Sequence, residues 1–147
     1  EDYCIVICGE CYENEIKYKN LIGEFSYKNE IYWINDYISD ELAESYFVAS
    51  DITVLPYKSA SQSGVIPLSY AYNRPVIASR IPGIQEMVDD GNTGFLFEKN
   101  NPGELADKIV EFYESDTDYE INITDYRRKF EWDYFIDRLF NLYNKIS

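Results

Sequence analysis

The segment LPYKSASQSGVIPLSYAYNRPVIASRIPGIQE, residues 55–86, decides the fold class that we predict for this chain. The apolar run Ile52 to Leu55 predicts a buried strand, which ends at Pro56 because proline lacks the N–H group needed for strand pairing. A Ser- and Gly-rich loop, residues 58–64, then leads into a helix, and a second buried strand follows at Pro75 to Ala78. A strand, a crossover helix and another strand are typical of a parallel sheet.

The start of this predicted helix is a candidate anion site. The first N–H groups of a helix have no partner within the helix, and the helix dipole adds partial positive charge there. Gly64 would let a ligand approach the chain closely, so that the backbone from Ser63 to Val65 could face a phosphate. A second interpretation is that Ser63 only caps its own helix. The local pattern leaves both interpretations open.

The rest of the chain repeats the alternation of strands and helices. The predicted strands are Tyr3 to Cys8, Glu30 to Ile34, Ile52 to Leu55, Pro75 to Ala78 and Gly94 to Phe97. The predicted helices are Tyr12 to Phe25, one capped by Ser39, one after Gly64, a short one at Ile84 to Val88 and one capped by Asn101. This order predicts an α/β fold with a doubly wound parallel sheet, whose first strand we expect to be buried on both faces.

Three loops are expected at the rim where such a sheet binds ligands, outside the carboxyl ends of its strands. They are Gly9–Glu10, Asn35 to Ile38 and Pro56 to Gly64. Candidate binding residues therefore come from three separate parts of the chain.

The last third of the chain carries a polar stretch and then an apolar stripe. Ser115 to Asn122 is polar, which predicts a surface connection. The stripe that follows has helical spacing, which favours packing in the core, and part of it could instead cover a partner domain. Its residues are Trp132, Phe135, Ile136, Leu139, Tyr143 and Ile146.

Composition limits the possible partners. The 147 residues are 46% hydrophobic, which is enough for one core, so we expect a single domain over residues 1–147. A formal net charge of -14 argues against a nucleic acid or an anionic membrane surface as the partner. No run approaches the length of a membrane-spanning helix, and EDYCIVICGE at the start lacks the basic flank of a signal peptide, so we expect no membrane insertion and a cytoplasmic location.

The cysteines do not form a convincing metal site. Cys4, Cys8 and Cys11 have neither a fourth thiol nor any histidine to complete a tetrahedral zinc site, so no metal is expected. Cys4 and Cys8 fit better as small apolar residues of a strand. The absence of histidine also excludes a self-contained Ser-His-Asp or Cys-His hydrolase.

Six blocks, in order and at suitable spacing, give the chain a family resemblance. It resembles the C-terminal, donor-binding half of the retaining glycosyltransferases with the GT-B fold, the group 1 glycosyltransferases, over nearly its whole length. The blocks are IVICGE at 5–10, NDYISDEL at 35–42, ASDITVLPY at 49–57, RPVIAS at 74–79, DDGNTGFLF at 89–97 and FEWDYFIDRLFNLY at 130–143. The resemblance implies that the parallel sheet is Rossmann-like and forms one half of a GT-B fold.

The resemblance also implies a function. Such a domain binds a nucleotide-sugar, here expected to be UDP- or GDP-linked, and the enzyme transfers the sugar to a saccharide or lipid-linked acceptor, in surface polysaccharide or glycolipid biosynthesis. Neither a cofactor nor a metal is implied, because a helix dipole and basic side chains stabilise the departing nucleoside diphosphate. The implied donor-binding residues are Ser61, Gln62, Ser63, Gly64, Val65, Tyr37, Ile38, Gly9 and Glu10, and no catalytic residue is assigned.

The chain departs from the family pattern at the two acidic positions that hold the donor. Ser61 stands where most members have a glutamate for the sugar hydroxyls. The position of the second glutamate, for the ribose, falls on Ser69 when counted from Gly64 and on Leu68 when counted back from Pro75. The family's first strand of this half and its acceptor domain would precede Tyr3, so we expect a fragment that is inactive alone and lacks its N-terminal acceptor domain.

Two other functions fit a similar fold. A nucleotide-sugar epimerase would share the architecture, but it would need acidic and histidine groups that this half does not show. A non-enzymatic receiver-like interaction module would need an acidic cluster after its first strand and an Asp at the end of its third. Here the third strand ends in Leu55-Pro56. Glycosyl transfer is the function that the family resemblance favours.

Overall fold

A computed structural model describes residues 3–146, with the exception of the side chain of Asn29; Glu1, Asp2 and Ser147 lie outside the description. The chain divides into two compact units, within residues 1–44 and 45–147. The elements of the first are β1 (Ile5–Cys8), α1 (Glu15–Glu24), a 3-10 turn (Lys28–Glu30), β2 (Ile31–Ile34) and the start of α2 (Asp40–Ala49). Those of the second are β3 (Thr53–Leu55), α3 (Val65–Ala71), β4 (Val76–Ser79), β5 (Gly94–Phe97), α4 (Pro102–Glu114), α5 (Tyr119–Tyr126), a 3-10 turn (Arg127–Phe130) and α6 (Trp132–Ile146).

All strand pairing in the described residues is parallel, as the alternating pattern predicted. Strands β1 and β2 pair in the first unit, and β3, β4 and β5 pair in that order in the second. Leu55, the last residue of β3, lies opposite Ala78 of β4. Since parallel strands have their carboxyl ends at the same edge, the loops after β3 and β4 begin side by side.

The core of the second unit surrounds β4 and β5, in which every residue is buried. Helix α3 adds Ile66 and Tyr70, which are one helical turn apart and have no exposed surface. Ile84 and Ile123 are also fully buried. Each such aliphatic side chain contributes about 1.5–3 kcal/mol relative to exposure, so this unit has a substantial core of its own.

Strand β1 forms where predicted, but the expectation that it is buried on both faces was wrong. All four of its residues are exposed, and Ile5, Val6 and Ile7 each keep nearly half of their surface accessible. The reason is the size of the first unit, in which β1 has one strand neighbour and few helical residues are available to cover the sheet. Cys4 and Cys8 are likewise exposed free thiols.

Helix starts follow the capping side chains. Asn14 accepts a hydrogen bond from the Ile16 N–H, so α1 begins three residues later than predicted, at Glu15. Asn101 accepts from the Glu104 N–H and caps α4, as predicted. The Ser39 Oγ lies 3.4 Å from the Leu42 N–H, at the predicted start of α2.

Two predictions about helical segments were wrong. Ile84 to Val88 contains turns and no helix, because its helically spaced apolar residues are buried by tight turns around the Ile81 carbonyl oxygen. The polar stretch 115–122 was predicted to be a surface connection, yet α5 begins within it. Asp118 caps the Ile121 N–H, and Tyr119 packs on Phe112 with ring centroids 5.2 Å apart. One buried face was enough to form the helix.

The closing apolar stripe does form a helix, but the prediction that it packs in the core was wrong. No residue of α6 is buried, and Trp132 and Ile146 are 78% and 77% exposed. An amphipathic pattern predicts a helix with an apolar face, but it does not show what packs against that face. None of the helices in the described part of the chain is long and apolar enough to cross a membrane.

Candidate functional site

The loop between β3 and α3, residues 56–64, carries four of the predicted binding positions, a fifth, Val65, begins α3, and the loop is held at both ends. The Tyr57 N–H donates to the Leu55 carbonyl oxygen at 2.9 Å, and Tyr57 and Ala60 pack against the core. At the other end, Ser63 is only 7% exposed, and its hydroxyl lies 3.2 Å from the Tyr57 hydroxyl. The residues between these anchors are exposed, apart from half-buried Ala60.

Ser63 makes the helix-capping contact that was one of the two interpretations of this loop. Its Oγ accepts a hydrogen bond of 3.2 Å from the Val65 N–H, at the first residue of α3. The chain therefore already satisfies one of the free N–H groups at this helix start. Gly64 and Gln62 are exposed and Val65 is half-buried, so a ligand at the helix end of this loop would meet backbone and neutral side chains.

A cavity of about 510 Å³ opens beside the loop. Its lining comes from the loop after β3 and from the turn after β4, which the parallel pairing of the two strands brings together. The lining residues are Ser59, Ala60, Ser61, Pro82 and Gly83. The volume lies within the range of about 300–1,000 Å³ typical of small-molecule sites, and none of the lining side chains is charged.

Gly83 was missed by the sequence analysis, although a signal for it existed. Its φ angle is +82°, and a Cβ at this position would lie 1.9 Å from the Ser61 carbonyl oxygen. The Pro82-Gly83 pair follows a buried strand, which marks a turn at the carboxyl edge of the sheet, where ligands bind. The same rule that selected the three predicted rim loops therefore also applies to this turn.

The structure distinguishes the two positions proposed for the second glutamate. Ser69 has no exposed surface, and its Oγ lies 2.8 Å from the Thr53 hydroxyl and donates to the Arg74 carbonyl oxygen at 2.9 Å. Leu68 is 40% exposed. Ser69 therefore holds α3 to β3 and the turn before β4, whereas Leu68 is the residue at the surface.

The remaining predicted residues lie in the first unit, after β1 and β2. The Gly9 N–H donates to the Ile34 carbonyl oxygen at 3.1 Å, and the Cys11 N–H donates to the Asn35 side chain at 2.7 Å. The two turns are thus joined at the carboxyl edge of the β1–β2 sheet. Tyr37 is 69% exposed and Ile38 is half-buried in the second of them.

Glu10 is exposed in the first of these turns. Its carboxylate accepts a hydrogen bond of 2.7 Å from the Tyr12 hydroxyl, which raises the pKa of that phenol above its ordinary value because the hydrogen bond favours the protonated form. Glu10 thus has a local partner in this structure.

Arg80, the basic residue directly after β4, already forms ion pairs within the chain. The Arg80 guanidinium lies 2.7 Å from the Asp90 carboxylate and 3.4 Å from that of Glu98. Its charge therefore ties the end of β4 to the turn before β5. Among residues 3–146, no group of three or more His, Cys, Asp or Glu side chains is placed to hold a metal ion.

Comparison with known proteins gives a family and a fold. A family model described as "Glycosyl transferases group 1" matches residues 1–115. A glycosyltransferase of Methanocaldococcus jannaschii, described as uncharacterised, is 29% identical over 138 residues, which cover 92% of this chain and 36% of that protein. The chain therefore spans just over a third of the length of this relative.

Solved structures agree with the architecture. The sucrose-phosphate synthase of Thermosynechococcus elongatus matches 96% of this chain and 38% of its own, with a TM-score of 0.77 and 19% identity. Anabaena HepE, solved in complex with UDP-glucose, matches 86% of this chain and 35% of its own, with a TM-score of 0.71 and 23% identity. The fold is the α/β architecture of GT-B glycosyltransferases, as the sequence blocks predicted.

Proposed function

The chain belongs to the group 1 glycosyltransferase family, and from this premise we propose that it forms the donor-binding half of a retaining glycosyltransferase. The observation that carries the proposal is the uncharged cavity at the carboxyl edge of the β3–β4–β5 sheet. Ser61 lines it, and this residue stands where the family places a donor contact. A family match over residues 1–115 and a cavity at the expected edge support the same site.

The donor that we propose is a UDP- or GDP-linked sugar, bound without a metal or another cofactor. A related fold has been solved with UDP-glucose, which supports a nucleotide-sugar as the ligand. The segment from Ser61 to Val65 would hold the diphosphate and sugar, through its exposed hydroxyl and amide groups and through backbone N–H groups other than that of Val65, which already donates to the Ser63 hydroxyl. The turns that contain Gly9, Glu10, Tyr37 and Ile38 would contribute to nucleotide binding.

Neutral groups are suited to this task because charge develops on the nucleoside diphosphate as it leaves. Backbone N–H groups fixed in position stabilise such charge without reorganising during the reaction. The hydroxyl of Ser61 in place of a carboxylate means that the sugar is held by hydrogen bonds to neutral groups.

The acceptor would be held by a part of the protein outside this chain, since the chain spans 36% of its M. jannaschii relative. We propose a saccharide or lipid-linked acceptor, a role in surface polysaccharide or glycolipid biosynthesis, and a cytoplasmic location. Catalytic residues are then supplied partly by the acceptor domain, and this chain alone is expected to turn over no substrate.

A titration followed by nuclear magnetic resonance tests the donor site. Millimolar UDP-glucose or GDP-mannose is expected to shift the amide signals of residues 61–65, whereas inorganic phosphate at the same concentration shifts them less. If neither nucleotide-sugar moves these signals in the folded chain, the site assignment fails. Sugar transfer to an acceptor by the full-length protein, rather than conversion of the donor sugar, then separates a transferase from an epimerase.

A further inference from the structure

The backbones of Gly83 and Ser61 are in close contact where both line the cavity. A Cβ on Gly83 would lie 1.9 Å from the Ser61 carbonyl oxygen and 2.7 Å from its carbonyl carbon. Gly83 also has a φ of +82°, a conformation that side-chain-bearing residues rarely adopt. Two independent constraints therefore require glycine here, and one of them concerns a segment 22 residues away along the chain.

The Gly83 side of this contact is fixed in place by the core. Its flanking residues Ile81 and Ile84 are 4% and 0% exposed. The Ile81 carbonyl oxygen accepts hydrogen bonds of 3.1 Å from the N–H groups of both Ile84 and Gln85. The turn therefore cannot retreat from Ser61 without breaking hydrogen bonds or exposing buried isoleucines.

The Ser61 side is held more weakly and gives way first. Tyr57 and Ser63 anchor the ends of the segment, but Ser59 and Ser61 are exposed between them. The two segments are neighbours because Leu55 pairs with Ala78. An added Cβ at position 83 must therefore push the Ser61 backbone outward, by about 1 Å to escape the collision and by about 1.5 Å to reach an ordinary contact distance.

We propose that Gly83 is a positioning residue of the donor site, which sets the location of the Ser61 backbone and so the shape of the wall that holds the donor sugar. This inference rests on the proposed function. Gly83 acts through Ser61 and the cavity lining, and the nucleotide is held by other groups. A shift of about 1 Å in a group that orients a substrate can reduce rates by about 100-fold. Gly83 therefore controls recognition of the sugar more than recognition of the nucleoside diphosphate.

The test compares Gly83→Ala with Gly91→Ala in the full-length protein. Gly91 has a similar φ of +86° but nothing within 4 Å of its Cβ position, so its variant has the same backbone strain without the collision. Calorimetry measures the affinity for UDP, UDP-glucose, GDP and GDP-mannose. For the base that the protein prefers, the sugar-dependent gain is the affinity for the nucleotide-sugar divided by the affinity for the nucleoside diphosphate. Thermal melting shows that each variant is folded.

We expect Gly83→Ala to reduce the sugar-dependent gain at least about tenfold, while its affinity for the nucleoside diphosphate stays within about twofold. Gly91→Ala should leave both values unchanged. An unchanged sugar-dependent gain in folded Gly83→Ala overturns the inference and leaves the proposed function standing. If the unaltered protein binds none of the four probes, the proposed function fails, and the inference fails with it.

A second pair of variants decides the matter if Gly83→Ala does not fold. Ser61→Ala removes only the hydroxyl, whereas Ser61→Gly also loosens the backbone that Gly83 positions. The sugar-dependent gain of Ser61→Gly should be about two- to fivefold lower than that of Ser61→Ala. Equal gains in the two variants would show that the position of this backbone does not matter, and the inference would be wrong.

Discussion

The hydroxyl of Tyr70 in α3 lies 2.8 Å from the hydroxyl of Thr93, in the turn before β5, and neither residue has any exposed surface. Thr93 also accepts a hydrogen bond of 3.0 Å from the Asp89 N–H. This small polar network joins the helix next to the candidate site to the last strand of the sheet.

The Thr93 hydroxyl is expected to contribute more to stability than the Tyr70 hydroxyl. Thr93→Val leaves both the Tyr70 hydroxyl and the Asp89 N–H without their partner, so it should lower the free energy of unfolding by about 1–3 kcal/mol. Tyr70→Phe leaves Thr93 with Asp89 and should have the smaller effect. Urea denaturation of both variants checks the order, and an effect of Tyr70→Phe equal to that of Thr93→Val would contradict it.

Alkaline pH is expected to destabilise the second unit through its tyrosines. Burial, helped by the carboxylate of Asp89, raises the pKa of Tyr126 from 10.0 to about 12, and burial also raises the pKa of Tyr70. A pKa that is higher in the folded state gives a contribution that is fully present below pH 10 and is lost as the pH rises towards 12. The melting temperature should fall over this range, and it should fall less in Tyr126→Phe. A parallel decrease in both proteins would assign the loss to other groups.

The two ion pairs of Arg80 are expected to contribute unequally to the free energy of unfolding. Asp90 contacts Arg80 at 2.7 Å and also accepts a hydrogen bond of 2.9 Å from the N–H of buried Leu96. Glu98 is 3.4 Å from Arg80 and its side chain is 63% exposed. Asp90→Ala is therefore expected to cost about 1–3 kcal/mol, because it removes the acceptor of a backbone N–H, and Glu98→Ala less than about 1 kcal/mol. Chemical denaturation of the two variants measures both values, and equal losses would show that the Leu96 contact adds nothing.

Ser69 is expected to matter for stability and not for binding. Ser69→Ala removes the partner of the Thr53 hydroxyl and should cost about 1–3 kcal/mol, with the affinity for UDP unchanged. Leu68→Ala, at a surface position, is the matched variant and should cost less. Denaturation and calorimetry on the same samples measure the two effects. Weaker UDP binding by Ser69→Ala, at unchanged stability, would instead indicate that Ser69 belongs to the binding site.

The sequence predicted what depends on local pattern, and it failed where the outcome depends on distant neighbours. The order of the five strands and the cap at Asn101 follow from residues close together in the chain, and the structure confirms them. Helix α5 was missed because acidic residues such as Asp118 and Glu120 surround Tyr119 and Ile123, the pair that is buried. The exposure of α6 depends on what surrounds it, which no periodicity records.

The candidate site shows the same division. The predicted loop residues are where the pattern placed them, and their role in donor binding stays a prediction. The contact between Gly83 and Ser61 could not be predicted, because it exists only once β3 and β4 have paired. Counting along the motif likewise could not choose between Leu68 and Ser69, whereas burial separates them at once.

The pairing of Leu55 with Ala78 gives the cavity two walls with different freedom to change during evolution. Ser59 and Ser61 are exposed, so substitutions of their side chains cost little stability and can alter which sugar fits. The adjoining wall is built from a glycine whose replacement would displace the Ser61 backbone and from a turn anchored by buried isoleucines. Descendants of this chain are therefore expected to diversify their donors through one loop while they inherit the other unchanged.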